Sequence, residues 1–124
     1  MLRYAALNHE LTKVIRDVHR SSAKVILDYA RENCKLHDAQ HVSDVNMTMM
    51  SNIPGSMFAL KMTSFGSRES PTFAVAHMKK IIQHAINNNC QVCIDAEDIL
   101  YSRESYDMMY EFNRHKPYVF KTYQ

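Results

Sequence analysis

Met57-Phe58-Ala59-Leu60-Lys61-Met62 is apolar except for one lysine near its end. A continuous apolar run this short suits a strand covered on both faces, as strands of parallel sheets are. Pro54-Gly55 just before it is a turn signal. Downstream, Ser70-Pro71 pairs a capping side chain with proline at the first helical position, a good helix start. Val75, Met78, Ile81, Ile82, Ala85 and Ile86 then keep helical spacing, and Asn87-Asn88-Asn89 ends that helix. Gln91-Val92-Cys93-Ile94-Asp95 reads as the next strand, with an acid at its end.

The same alternation runs outward to both termini. Ser102 can cap another helix, with Glu104 and Asp107 near its positive end and Tyr106, Met109, Tyr110 and Asn113 on one face. Pro117 lies just beyond, and Tyr118-Val119-Phe120-Lys121-Thr122 reads as a fourth strand. Upstream, Leu7, Leu11, Val14, Ile15 and Val18 line one face of a leading helix that Ser21-Ser22 interrupts. Val25-Ile26-Leu27 is the first strand, running into Asp28-Tyr29. Between them, Val42, Val45, Met49 and Met50 can form a helical stripe. Helix and short buried strand alternate four times, which implies right-handed crossovers and a parallel sheet. The expected class is α/β, in one domain over residues 1–124: a leading helix (1–22) and βα units (23–124).

Composition bounds the function. The chain has 124 residues, 46% hydrophobic and 23% charged, with a net charge of +2 and only 2 Gly and 3 Pro. That is globular composition, and the length is enough for a core without disulfide or metal staples. The balanced charge argues against a nucleic-acid partner, which needs a concentrated basic face. No apolar run approaches the roughly 18 residues of a membrane span. Three cysteines, Cys34, Cys90 and Cys93, are too few for a disulfide framework and fit a reducing compartment. The first seven residues have neither the apolar core nor the cleavage site of a secretory signal.

Polar residues cluster where the strands end: Asp28, Lys61, Asp95 with Glu97, and Thr122 with Gln124. Carboxyl ends of parallel strands are where α/β folds bind ligands. Singly, each can equally be a loop start or helix cap; together, on one edge and with both signs of charge, they form a candidate site. Lys61 is the sharpest. Between Leu60 and Met62 its ammonium needs an anion, either a carboxylate such as Asp95 or a ligand, unless it reaches water along its own stem. Cys90-x-x-Cys93 has redox or zinc spacing but no second pair, and Cys93 reads as core. His37-x-x-x-His41 has no evident third ligand, and no metal site is expected. No glycine-rich nucleotide loop is present.

Gln91-Val92-Cys93-Ile94-Asp95-Ala96-Glu97, followed by Val119-Phe120-Lys121-Thr122-Tyr123-Gln124, resembles the proline dehydrogenase family. Phe58-Ala59-Leu60-Lys61-Met62-Thr63 is similar to that family's lysine-bearing strand, and Ile26-Leu27-Asp28-Tyr29-Ala30-Arg31-Glu32 to the strand before it. The likeness spans residues 24 to 124. It implies a flavin-dependent (β/α)8 barrel that oxidises L-proline to pyrroline-5-carboxylate by hydride transfer to FAD. It also implies that Lys61 sits beside the flavin ring and the substrate carboxylate, that Asp95 lines the substrate pocket, and that Gln124 hydrogen-bonds the flavin. Lys121 departs from the family, where a small polar or amide residue is usual. A full barrel takes about 250 residues, so the resemblance covers a half barrel, the N-terminal half. The family's arginines for flavin and substrate carboxylate have no counterpart here. A protein partner or self-association would have to complete the barrel, and the chain alone is not expected to turn over. Eukaryotic relatives are mitochondrial, which sets the expected location. The alternative is a non-catalytic interaction protein derived from such a half barrel. An unrelated small α/β ligand-binding domain would require all four landmarks to be coincidence.

Overall fold

A computed structural model of the chain describes residues 10–20, 25–31, 34–96 and 102–122. Four helices alternate with four strands: α1 (Leu11–Arg20), β1 (Ile26–Asp28), α2 (Leu36–Asn52), β2 (Met57–Leu60), α3 (Pro71–Asn87), β3 (Gln91–Ile94), α4 (Ser102–Phe112) and β4 (Val119–Lys121). The strands form one sheet in the order β1-β2-β3-β4, all neighbours parallel. Strand order equal to chain order is what successive right-handed crossovers produce, and it stacks the connecting helices on a single face. The α/β class and the alternating units expected from the sequence are therefore present.

The register shows which face that is. Leu27, Phe58, Val92 and Val119 lie side by side across the four strands, all buried. They join Leu60 and Ile94 in one apolar cluster with Ala39, Val42 and Met50 of α2, Ala74, Met78, Ile81, Ile82 and Ala85 of α3, and Met108 of α4. Side chains alternate across a strand. Ile26 and Met57, the row Asp28, Ala59, Cys93 and Phe120, and the positions after Leu60 and Ile94 therefore occupy the opposite face. None of these belongs to the central buried cluster, and Ile26 and Phe120 are exposed.

Local chemistry explains most boundaries. Ser70 caps α3 by accepting the Phe73 N–H at 3.2 Å, with Pro71 at the first turn. Asn89 takes a left-handed backbone (φ 56°) in the turn to β3, a conformation asparagine tolerates better than most residues. Asn113 fastens the α4–β4 connection: its Oδ1 accepts the Tyr118 and Val119 N–H groups and its Nδ2 donates to the Val119 carbonyl. A salt bridge of 2.8 Å, Lys79 to Glu111, ties α3 to α4.

Three details depart from the sequence reading. The strand expected over 57–62 stops at Leu60, and Met62–Phe65 forms a buried 3-10 turn. In α2 the buried residues are Ala39, Val42, Ser43, Asn46 and Met50, so polar Ser43 and Asn46 occupy positions where the sequence reading sought Val45 and Met49. In α4, Ser105 and Met108 are buried while Tyr106 and Tyr110 are exposed.

Candidate functional site

Lys61 follows β2 directly in extended conformation (φ −125°, ψ 132°), so strand alternation carries one residue further. The parallel ladder continues as well: the Asp95 N–H donates to the Leu60 carbonyl at 2.9 Å and the Thr122 N–H to the Ile94 carbonyl at 3.0 Å. Leu60, Ile94 and Lys121 are register partners on the helix side, so Lys61, Asp95 and Thr122 form the next row, on the opposite face. The sequence-expected residues Lys61 and Asp95 thus share one edge and one face of the sheet. Gln124 and Glu97 lie outside the described residues.

Asp28, the last residue of β1, supplies a carboxylate. Its Oδ2 lies 3.8 Å from Lys61 Nζ; the lysine side chain is 18% exposed and the aspartate 45%. The lysine that the sequence singled out has the anionic neighbour its position demands, and that neighbour comes from the adjacent strand. Thr122 Oγ1 accepts the Ala96 N–H at 2.6 Å, which braces the chain just after Asp95. Half-buried Cys93, two residues before Asp95 on the same face, has its thiol pushed up by burial first and by the Asp95 charge second.

Lys121 turns the other way. Its ammonium sits 4.0 Å from the centroid of the Tyr106 ring and donates to Ser102 Oγ at 3.2 Å, so it fastens β4 to α4 and leaves the row of Lys61 and Asp95. Lys121 is thus a packing residue of the β4–α4 contact.

The weaker motifs do not assemble. Cys90 is buried on the core side, its Sγ within 3.7–3.8 Å of the carbonyls of Met50, Ile53 and Asn88, while Cys93 points to the opposite face. Alternation along an extended chain separates the two thiols, and it is Cys90, not Cys93, that belongs to the core. His37 lies exposed 3.4 Å from Asp38 Oδ2, and His41 lies 3.5 Å from the Tyr29 hydroxyl. Among the described residues no three His, Cys, Asp or Glu side chains are grouped to hold a metal. None of the described helices is long and apolar enough to cross a membrane.

Sequence reasoning missed a polar cluster between α2 and α3. Ser43 Oγ lies 2.8 Å from His77 Nδ1, and Ser51 Oγ lies 2.8 Å from His84 Nε2, which also meets the Met47 carbonyl at 3.0 Å. The signal was there in spacing: His77 shares the Ala74, Met78, Ile81 stripe, and only its polarity disguised it. No family model matches the chain, and no curated protein gives a significant match.

Proposed function

We propose that this chain is the N-terminal half of a proline dehydrogenase-type (β/α)8 barrel and forms one side of an FAD-dependent site that oxidises L-proline to pyrroline-5-carboxylate. One observation carries the reading: Lys61, Asp95 and Thr122 stand in a row at the carboxyl ends of three adjacent parallel strands, on the face opposite the buried core. A closed barrel has its helices outside and that face inside, and its chemistry at that end.

The residues present suit such a site. A mostly buried ammonium beside the Asp28 carboxylate, bordered by Met57 and Ala59, offers charge over an apolar floor. Bound FAD would supply the two-electron acceptor. Lys61 attracts the substrate carboxylate and favours negative charge on a neighbouring ring. Asp95 holds the substrate's cationic nitrogen, and Gln124, by the resemblance, donates to the flavin. Completing the barrel falls to a partner or to self-association. The exposed Ile26 and Phe120 on the same face favour a second reading, in which the half barrel is an interaction module without turnover.

The test is the visible spectrum of the purified chain after incubation with FAD and removal of free flavin. Retained flavin bands that bleach with L-proline are the expected result for a completed site. Retained bands without bleaching indicate a flavin pocket without substrate grip. A colourless protein rejects flavin binding by the chain alone and leaves the interaction reading.

A further inference from the structure

The chain immediately after Lys61 is clamped from the far side of the sheet. Met62, Thr63, Ser64 and Phe65 are each 4% exposed or less. The Ser64 N–H donates to the Lys61 carbonyl at 3.1 Å, and the Thr63 carbonyl accepts the Cys34 N–H at 2.9 Å. Phe65 lies parallel to the His77 imidazole, offset, with centroids 6.3 Å apart and planes at 14°. Phe73 meets the same imidazole edge-on at 4.6 Å, and Ser43 bonds its Nδ1 at 2.8 Å. The imidazole is the common contact of α2, α3 and the 3-10 turn, and it is only 7% exposed.

We propose that His77 is a proton-sensitive positioning residue for the end of β2: its neutral ring holds Phe65 and hence the turn that fixes Lys61, and its protonation releases them. The functional meaning rests on the reading of Lys61 as a site residue, whereas the geometry and the test below do not.

A neutral imidazole can sit against two phenyl rings and satisfy Nδ1 with a hydroxyl that donates or accepts as the tautomer requires. An imidazolium must donate from both nitrogens and carry its charge at a site only 7% exposed. The charged groups facing it are Asp44 from α2, which favours the cation, and Lys80 from α3, which opposes it; the Met62–Phe65 turn brings no charge. Among the described residues, Lys80 and His84 are the other titratable groups lining the adjoining groove. Burial outweighs Asp44, so the ring's proton affinity falls below that of ordinary histidine. The groove between α2 and α3, about 350 Å³ and lined by Gln40, Ser43, Met47, Lys80 and Gln83, lies beside the ring and gives the cation room to turn toward water. Turning that way breaks the stack with Phe65.

The experiment is nuclear magnetic resonance of the full chain, without flavin or proline, between pH 7.5 and the pH of unfolding. The expected result is a His77 ring titration with a midpoint below the roughly 6.5 of free histidine, followed at the same midpoint by the Met62–Phe65 amides and the Lys61 Cε. The His84→Gln variant should keep that response. In the double variant His77→Phe, Ser43→Ala, which retains an aromatic ring and removes both polar partners together, the amide response should vanish. The proposal is overturned if the His77 ring titrates while those amides stay fixed, if the response survives the double variant, or if the ring stays neutral until the chain unfolds. The wild-type titration decides the matter even where the double variant does not fold. Because no flavin is present, failure here leaves the flavin reading untouched, and a colourless protein leaves this one standing.

Discussion

A lysine placed in an apolar run loses hydration that a 3.8 Å partner restores only in part. The Asp28 carboxylate is 45% exposed, so solvent screens the pair, and such pairs contribute about 1 kcal/mol or less. Asp28→Asn should therefore lower the unfolding free energy measured in urea by no more than that. Lys61→Met, which keeps the stem and removes the charge, should leave stability unchanged or raise it. The same substitution should abolish flavin retention, so the two measurements separate a lysine kept for packing from one kept for binding. A large loss of stability in Lys61→Met with flavin still retained would sink the site reading. His77 adds a pH dependence whose sign is determined by its lowered proton affinity. The unfolded chain binds a proton at about pH 6.5 and the folded chain only below that. Stability from the neutral ring is thus complete above about pH 6.5 and declines as pH falls toward the folded-state value. Urea midpoints at pH 7.5 and 5.5 should differ in that direction, and the difference should shrink in the double variant His77→Phe, Ser43→Ala. At this scale Lys61 was legible because it interrupts an apolar run, while Ser43 and His77 were not. A hydrogen-bonded polar pair inside a helix interface looks, in one dimension, like two solvated residues.

Elements obey the same physics with more residues at stake. The strands and α3 were readable because their apolar residues are contiguous or regularly spaced and their ends carry Ser70-Pro71, Asn88-Asn89 and Pro54-Gly55. Helix α2 resisted because Ser43 and Asn46 interrupt its buried stripe; Asn46 Nδ2 is turned inward onto the Val42 and Tyr29 carbonyls at 2.9 and 3.3 Å. The 3-10 turn at Met62–Phe65 resisted because an apolar run gives no sign of where extension stops. Gly66, in a left-handed conformation (φ 77°), closes the turn at its far end. A methyl group added there would stand 2.7 Å from Leu36 Cδ2 and 3.1 Å from the Leu36 backbone, whereas at Gly55 (φ 81°) it meets nothing within 4 Å. Gly55→Ala should thus cost only the left-handed penalty, about 1–2 kcal/mol, and Gly66→Ala should cost more because the start of α2 must also move. Thermal unfolding of the two variants ranks them directly; equal losses would mean that Leu36 yields freely. Removing the α3 cap with Ser70→Ala should cost about 1 kcal/mol.

At the scale of the molecule, one face of the sheet and its helices form a continuous core, while the other carries a graded surface. Ile26 and Met57 lie toward the amino ends of their strands, and Asp28, Lys61, Asp95 and Thr122 at the carboxyl ends. That gradient explains why the fold and the candidate polar row were legible together: strands read as apolar because both faces tolerate apolar residues, and the polar row stood out only where that tolerance ends. It also has a solution consequence. Ile26 is 52% exposed on β1 and Phe120 36% on β4, the two outer strands, so apolar area is offered to water on the same face at both edges of the sheet. Exposed apolar area of this kind binds hydrophobic dyes and draws molecules together. The chain should enhance the fluorescence of an anilinonaphthalene sulfonate dye in its folded state and sediment faster as its concentration rises. Ile26→Thr with Phe120→Thr places β-branched residues suited to strands at both positions and removes that area. The double variant should lower both signals while leaving the circular dichroism spectrum intact. Since neither side chain enters the central buried cluster, its stability should fall by no more than about 1 kcal/mol. Dye binding unchanged by the pair would place the exposed apolar surface elsewhere, on α4 with Tyr106 and Tyr110.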